Sequence, residues 1–302
     1  MRRALTHSLP HACLAGSLVA AVAFMPYAAA QAPQPMPKDA GWSLRLPKDD
    51  KVAYRGALSH TAVNAGAFPG LHPAPNIAGL FAAIATHAIM ADSAQSKQRQ
   101  QIQEAADRVL APYRGVLREF HHRELMQKGL ARLGTGSGAA LLEPADNAPA
   151  GWLVESTPLF TMTQDQRAII VDNAIAIYAP GGGTTAAYQN VIRVVSHAQT
   201  RDDLLAFWTA DEGGALKEES AALFAYSLDI ALRDVMGEAG GWNATQRTFR
   251  YDEGSTERME RAQLVSEHCS RLVIKNLRGW LMSVPARELA SDCADAGADP
   301  KP

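Results

Sequence analysis

The chain begins with Arg2 and Arg3 and turns apolar from Cys13 to Met25. It then closes on the small residues Ala28-Ala29-Ala30 before Gln31. A cationic start, a short apolar centre and a small-residue end form a secretory signal peptide, with cleavage expected between Ala30 and Gln31. The apolar run is about 13 residues, short of the ~20 that a spanning helix needs, so a retained N-terminal anchor is the lesser reading. Cys13 lies before the apolar centre, whereas a lipidated Cys would follow one.

Residues 31–50 are assigned to a Pro-rich leader, with three Pro in the first ten positions. Trp42–Leu46 inside it and Val52–Leu58 after it are short apolar runs, each consistent with a strand. Gly66, Pro69, Gly70, Pro73 and Pro75 demand a loop. Asn76 then caps residues 77–91, IAGLFAAIATHAIMA, which carry no charge. A helix apolar on every side is buried, or touches lipid or another protein. At about 22 Å it is too short to cross a bilayer. It is expected to be a central core helix. The alternative is a membrane or partner contact made by Ile77, Leu80, Phe81, Ile84 and Ile89.

Ser93–Ala111 is polar and rich in helix formers, with Ile102, Ala106, Val109 and Leu110 on one stripe. Pro112 should interrupt it, and a second helix is expected over 113–133. From Gly151 the period changes to two. Trp152–Met162, Arg167–Tyr178 and Thr185–Ala198 predict an antiparallel meander with a turn at Pro180-Gly181-Gly182-Gly183. Pro158 implies an edge position or a bulge in the first of these strands. The bulkier parity of the second, Ile169, Val171, Ile175 and Ile177, should face the core.

Asp202 or Asp203 caps a helix that Gly213-Gly214 interrupts and that resumes to about Met236. Arg247–Asp252 and Met259–Ser266 read as a hairpin. Arg271–Val284 reads as one further strand, with Gly279 as a bulge or tight contact. The expected fold is therefore α+β: an antiparallel meander and a C-terminal hairpin packed with helices. It would form one domain over 51–293, with a flexible tail at 294–302.

Composition adds bounds. The 302 residues carry 29 Lys+Arg against 31 Asp+Glu, a balance that argues against a nucleic-acid partner. Losing Arg2 and Arg3 with the signal leaves 27 bases, a net −4 over 272 residues. Cys13 departs too, so Cys269 and Cys293 remain. In an oxidising compartment this pair is expected to form a disulfide over about 25 residues, contributing roughly 3–4 kcal/mol by chain entropy.

The search for chemistry finds letters without the required spacing. Gly134, Gly136 and Gly138 lack the strand-to-helix setting and the spacing of a dinucleotide loop, and no Gly-Lys-Ser/Thr follows. His121 and Glu124, three apart on the expected helix, could share a metal with a distant third ligand such as His197 or His268. The spacing is that of an ordinary helix surface, and no metal is expected. Ser196, His197, Asp202 and Asp203 contain the members of a hydrolase triad, but strand neighbours point apart. Glu267, His268 and Cys269 meet the same objection. Asp211-Glu212 and Glu218-Glu219 read as solvated faces. No cofactor is implied.

In layout the chain resembles the uncharacterised exported (periplasmic) proteins of Gram-negative bacteria. The resemblance covers residues 76–286. It rests on the signal and leader, GLFAAIATHAIMADS, NVIRVVSHAQ with FWTADEGGALKEESAALFAYSLDIAL, and LRGWLMSVPA. It implies a periplasmic or secreted cell-envelope protein with a structural, assembly or membrane-associated role and no catalytic residues. Its partner would be an envelope protein, a membrane surface or a second copy. The competing expectations are a periplasmic enzyme, perhaps a hydrolase using His121, Glu124, His197 and Asp202, and a small-ligand binder.

Overall fold

A computed structural model describes residues 35–58, 94–133, 139–147, 150–238, 245–268 and 270–287. The signal peptide with its Ala30–Gln31 junction, the 77–91 segment with Ile77, Leu80, Phe81, Ile84 and Ile89, the 134–138 glycines, and Cys269 and Cys293 lie outside them.

The protein is mixed α/β, built on a sheet of ten strands. These are β1 (Trp42–Arg45), β2 (Ala53–Gly56), β3 (Ala140–Leu142), β4 (Trp152–Met162), β5 (Ile169–Tyr178), β6 (Tyr188–Val195), β7 (Arg247–Glu253), β8 (Thr256–His268), β9 (Arg271–Asn276) and β10 (Leu281–Pro285). Their order is β3-β1-β4-β5-β6-β10-β9-β8-β7, with β2 also on β4. The helices are α1 (Ala94–Ala106), α2 (Arg114–Arg118), α3 (His122–Arg132) and α4 (Leu204–Val235), with a 3-10 segment over Asp107–Tyr113.

The expected meander is present: β4–β5–β6 pair antiparallel in sequence order. Ile169, Val171, Ile175 and Ile177 enter the main core with Trp208, Phe224 and Leu228 of α4, as their bulk and parity require. Pro158 has a place without a bulge. The outer side of β4 is shared, with β1 pairing at 152–155 and β2 at 159–162. Pro158 falls in the gap between them, where a missing N–H breaks no ladder on that side.

Three expectations need correction. The packed chain starts inside the stretch assigned to the leader: Met36 is buried, and Trp42 and Leu44 bury against the main core as β1. A parallel pairing of β1 with β4 joins residues more than a hundred apart, which local pattern does not reveal. Arg271–Val284 is two strands, not one. Asn276 Oδ1 accepts from the amides of Arg278 and Trp280, and Gly279 takes φ +83°, so the chain reverses there. The C-terminal part is thus a four-strand meander rather than a separate hairpin, and β10 pairs parallel with β6 to join it to the first meander. The helix expected over 113–133 is divided at Glu119–His121, where His121 is extended (φ −112°, ψ 149°).

The helix of residues 204–235 is broken as expected, but the break covers Ala210–Gly213 rather than Gly213-Gly214. Asp203 Oδ1 accepts from the Ala206 amide as N-cap. Ala210–Gly213 leave helical geometry, and Asp211, Glu212 and Gly213 all take positive φ. Pro112 lies within the 3-10 segment that follows α1.

The sheet also curls. Arg193 on β6 and Glu253 on β7 are four strand positions apart, about 19 Å in a flat sheet. Their charged atoms lie 3.9 Å apart. The concave side holds a second apolar cluster, in which Ile170 and Val195 meet Phe249, Tyr251, Ile274 and Met282. The β4–β5 turn completes the roll: Asp165 Oδ2 accepts from the Ser255 amide of the β7–β8 turn at 2.6 Å.

Candidate functional site

Three places gather charged or polar side chains. The first is the mouth of the curl. Arg193 donates from Nε and Nη2 to both oxygens of Asp172 on the neighbouring strand, at 2.7 and 2.8 Å. This is a bidentate fork. Arg258 Nε donates to Glu253 Oε2 at 2.8 Å. Burial works against the charge of Arg193, yet Asp172 and then Glu253 outweigh it, so the guanidinium is held protonated more firmly than an ordinary Arg. These charges close the roll between β5, β6, β7 and β8.

The second is a surface cluster where the β1–β2 connection meets the start of α3. His121 Nδ1 lies 2.6 Å from Asp50 Oδ2, and its Nε2 lies 3.1 Å from Lys51 Nζ. Lys51 also donates to the Arg118 carbonyl. His122, next in sequence, is buried, with 4 % of its surface exposed. Its Nδ1 finds no hydrogen-bond partner among the described residues.

The third is a cleft of about 530 Å³ between the chain before β1 and the end of α4. Its floor is Trp42, Leu133, Leu232 and Met236, and Lys38 and Arg233 stand at its rim. Both cations are taken up locally, Lys38 by Glu238 at 2.7 Å and Arg233 by Asp229 at 2.9 Å.

The sequence candidates disperse. His121 and Glu124 do not share a face: His121 turns to Asp50, while Glu124 pairs with Lys217 at 3.5 Å. The reason is the helix break, since His121 precedes the first helical residue. Ser196 is buried and its Oγ accepts from the Ile169 amide at 3.0 Å, whereas His197 is exposed. Asp202 is exposed and Asp203 caps α4. Glu267 and His268 are exposed at the end of β8. No group of three His, Cys, Asp or Glu side chains able to hold a metal occurs among the described residues. None of His121, His197 and His268 lines the cleft.

No protein-family model, curated protein or solved structure matches the chain. Among the described residues no helix is long and apolar enough to cross a membrane.

The solvated face expected for Glu218-Glu219 needs correction at Glu219. It stands beside Glu218, which pairs with Lys128 and Arg132, but it is only half-exposed itself. Burial pushes its carboxyl pKa up, against the attraction of Arg271 and Arg132. Its charged form is therefore disfavoured by folding at neutral pH. Glu219→Gln should raise the urea midpoint at pH 7, and the gain should vanish near pH 4, where the wild-type carboxyl is itself protonated. A variant less stable than wild type at pH 7 would refute this. Helical spacing could have flagged the position, since Glu219, Leu223 and Tyr226 lie at intervals of four and three.

Proposed function

We propose that the chain is an exported cell-envelope protein with a non-enzymatic role, built as one α+β domain behind a cleaved signal peptide. The export pattern of residues 1–30 supports the compartment. One observation carries the non-enzymatic part: the His121–Asp50 pair, an imidazole held by a carboxylate, sits on the open surface. It lies away from the cleft, and a lysine faces its remaining nitrogen. A catalytic base needs that nitrogen directed at a substrate inside a concavity. Here the pair fastens one loop to the start of a helix. The Arg193–Asp172 and Arg258–Glu253 pairs fasten strand to strand in the same way. A role in structure or assembly, against a membrane surface, an envelope protein or a second copy, fits groups used in this manner.

The test is made on exported material. Mass spectrometry should find Gln31 as the first residue, and non-reducing peptide mapping should link Cys269 to Cys293. An intact Met1 in cytosol would overturn the export reading. After fractionation, part of the protein should stay with envelope material through a carbonate wash or sediment as a complex. Complete release as a soluble monomer would defeat the assembly role.

A further inference from the structure

We infer that the contact between the β1–β2 connection and the start of α3 is an acid-sensitive latch, closed at neutral pH and released as His122 takes up a proton. It goes beyond the proposed role and does not depend on it.

The latch is a small two-stranded contact between segments far apart in sequence. The Val52 amide donates to the Phe120 carbonyl at 3.2 Å, and the His122 amide donates to the Asp50 carbonyl at 2.8 Å. Lys51 and His121 form an antiparallel bridge between those bonds. Val52 and Phe120 enter the main core beneath. His122 is buried at this junction, and its neutral ring already leaves Nδ1 without a partner. Protonation would place a charged N–H where no acceptor waits, the costliest state for a buried polar group.

The surrounding charges do not cancel this. Burial lowers the His122 pKa first. Asp49 and Asp50 of the β1–β2 connection raise it in part, and His121 lowers it further. From α4, Lys217 lies over the Phe120 ring, 5.9 Å from its centroid, with Glu124 of α3 as its counter-ion at 3.5 Å, so this pair brings no net charge to that side. On the outer half of the latch, Asp50 Oδ2 lies 2.6 Å from His121 Nδ1 and Lys51 Nζ lies 3.1 Å from its Nε2. The sign follows from linkage. A base whose pKa is depressed by folding contributes stability above its unfolded value, near 6.5, and loses it as pH falls. If the open latch exposes His122, opening takes up a proton and grows by up to about tenfold per pH unit below that value.

The experiment is amide hydrogen exchange on the intact chain from pH 7.5 to 5.0, corrected for intrinsic rates, read at Val52 and His122. Protection there should fall with pH while the β5 amides, inside the sheet, hold theirs. His122→Phe should flatten the response. His122→Met provides a second apolar variant should the first fail to fold. His121→Gln should keep most of the acid response, since the buried ring carries it. Protection that is flat with pH in the wild type would overturn the latch. So would an acid response that persists unchanged in a folded His122 variant, or a loss that appears equally in β5.

Discussion

Gly213→Val should lower the folding free energy by about 3 kcal/mol or more, the largest single-glycine effect anticipated in α4. The position has φ +80°, in the left-handed region that costs an L-residue roughly 1–2 kcal/mol and a β-branched residue more. A Cβ there would also lie 2.1 Å from Val116 Cγ1. Relieving that overlap means moving α2 from the kink, and overpacking of this kind costs about 1–3 kcal/mol. Gly214 is the internal control. It lacks positive φ, and its Cβ would meet only Asp211 Cβ, at 3.5 Å. Gly214→Ala should therefore be neutral or mildly stabilising. Urea denaturation of the two variants side by side decides the matter. Equal losses would mean that the kink is not held by Gly213.

The second large effect is expected at the mouth of the curl. Asp172→Ala removes both acceptors of the Arg193 fork and leaves a guanidinium with only the longer contact to Glu253. Breaking a buried pair by deleting one partner costs about 3–5 kcal/mol. The Arg193 side chain keeps 30 % of its surface exposed, so water screens part of this and about 2 kcal/mol is the better expectation. Replacing both partners, with Asp172→Leu and Arg193→Met, should recover much of the loss. The apolar cluster of Ile170, Val195 and Phe249 lies on the same side of the sheet. A double-mutant cycle showing additivity would refute the coupling, because it would mean that the two side chains act independently.

The first of these predictions rests on a feature that was visible in the sequence. Two adjacent glycines in an otherwise helical run mark a break, and the break, Ala210–Gly213, ends on the first of them. A cap at Asp202 or Asp203, the three strands of the first meander and the burial of the bulkier parity of the second were legible for the same reason: each is decided by residues within a few positions of one another. The second prediction rests on a feature that was not. Asp172 and Arg193 belong to strands whose pairing could be anticipated, but Glu253 reaches them only because the sheet curls through four strand positions. The latch was hidden too. His121 was visible as a candidate, yet the helical period predicted that it would lie beside Glu124. The extended backbone at His121 sent it to Asp50 instead.

Local alternation, caps and turn residues thus determined what most segments of this chain become. They set the meander, the broken helix and the reversal before β8, because those choices are made by short-range sterics and by the face each side chain must bury. Tertiary structure alone decided which sequence-distant segments meet. It inserted β1 beside β4 and β3, and it joined β10 to β6 in parallel. It also rolled β7 back toward β6 and buried His122 against a loop some seventy residues earlier. Parallel pairings and sheet curvature leave little local signature, since their free energy comes from surfaces that exist only once distant strands are in place.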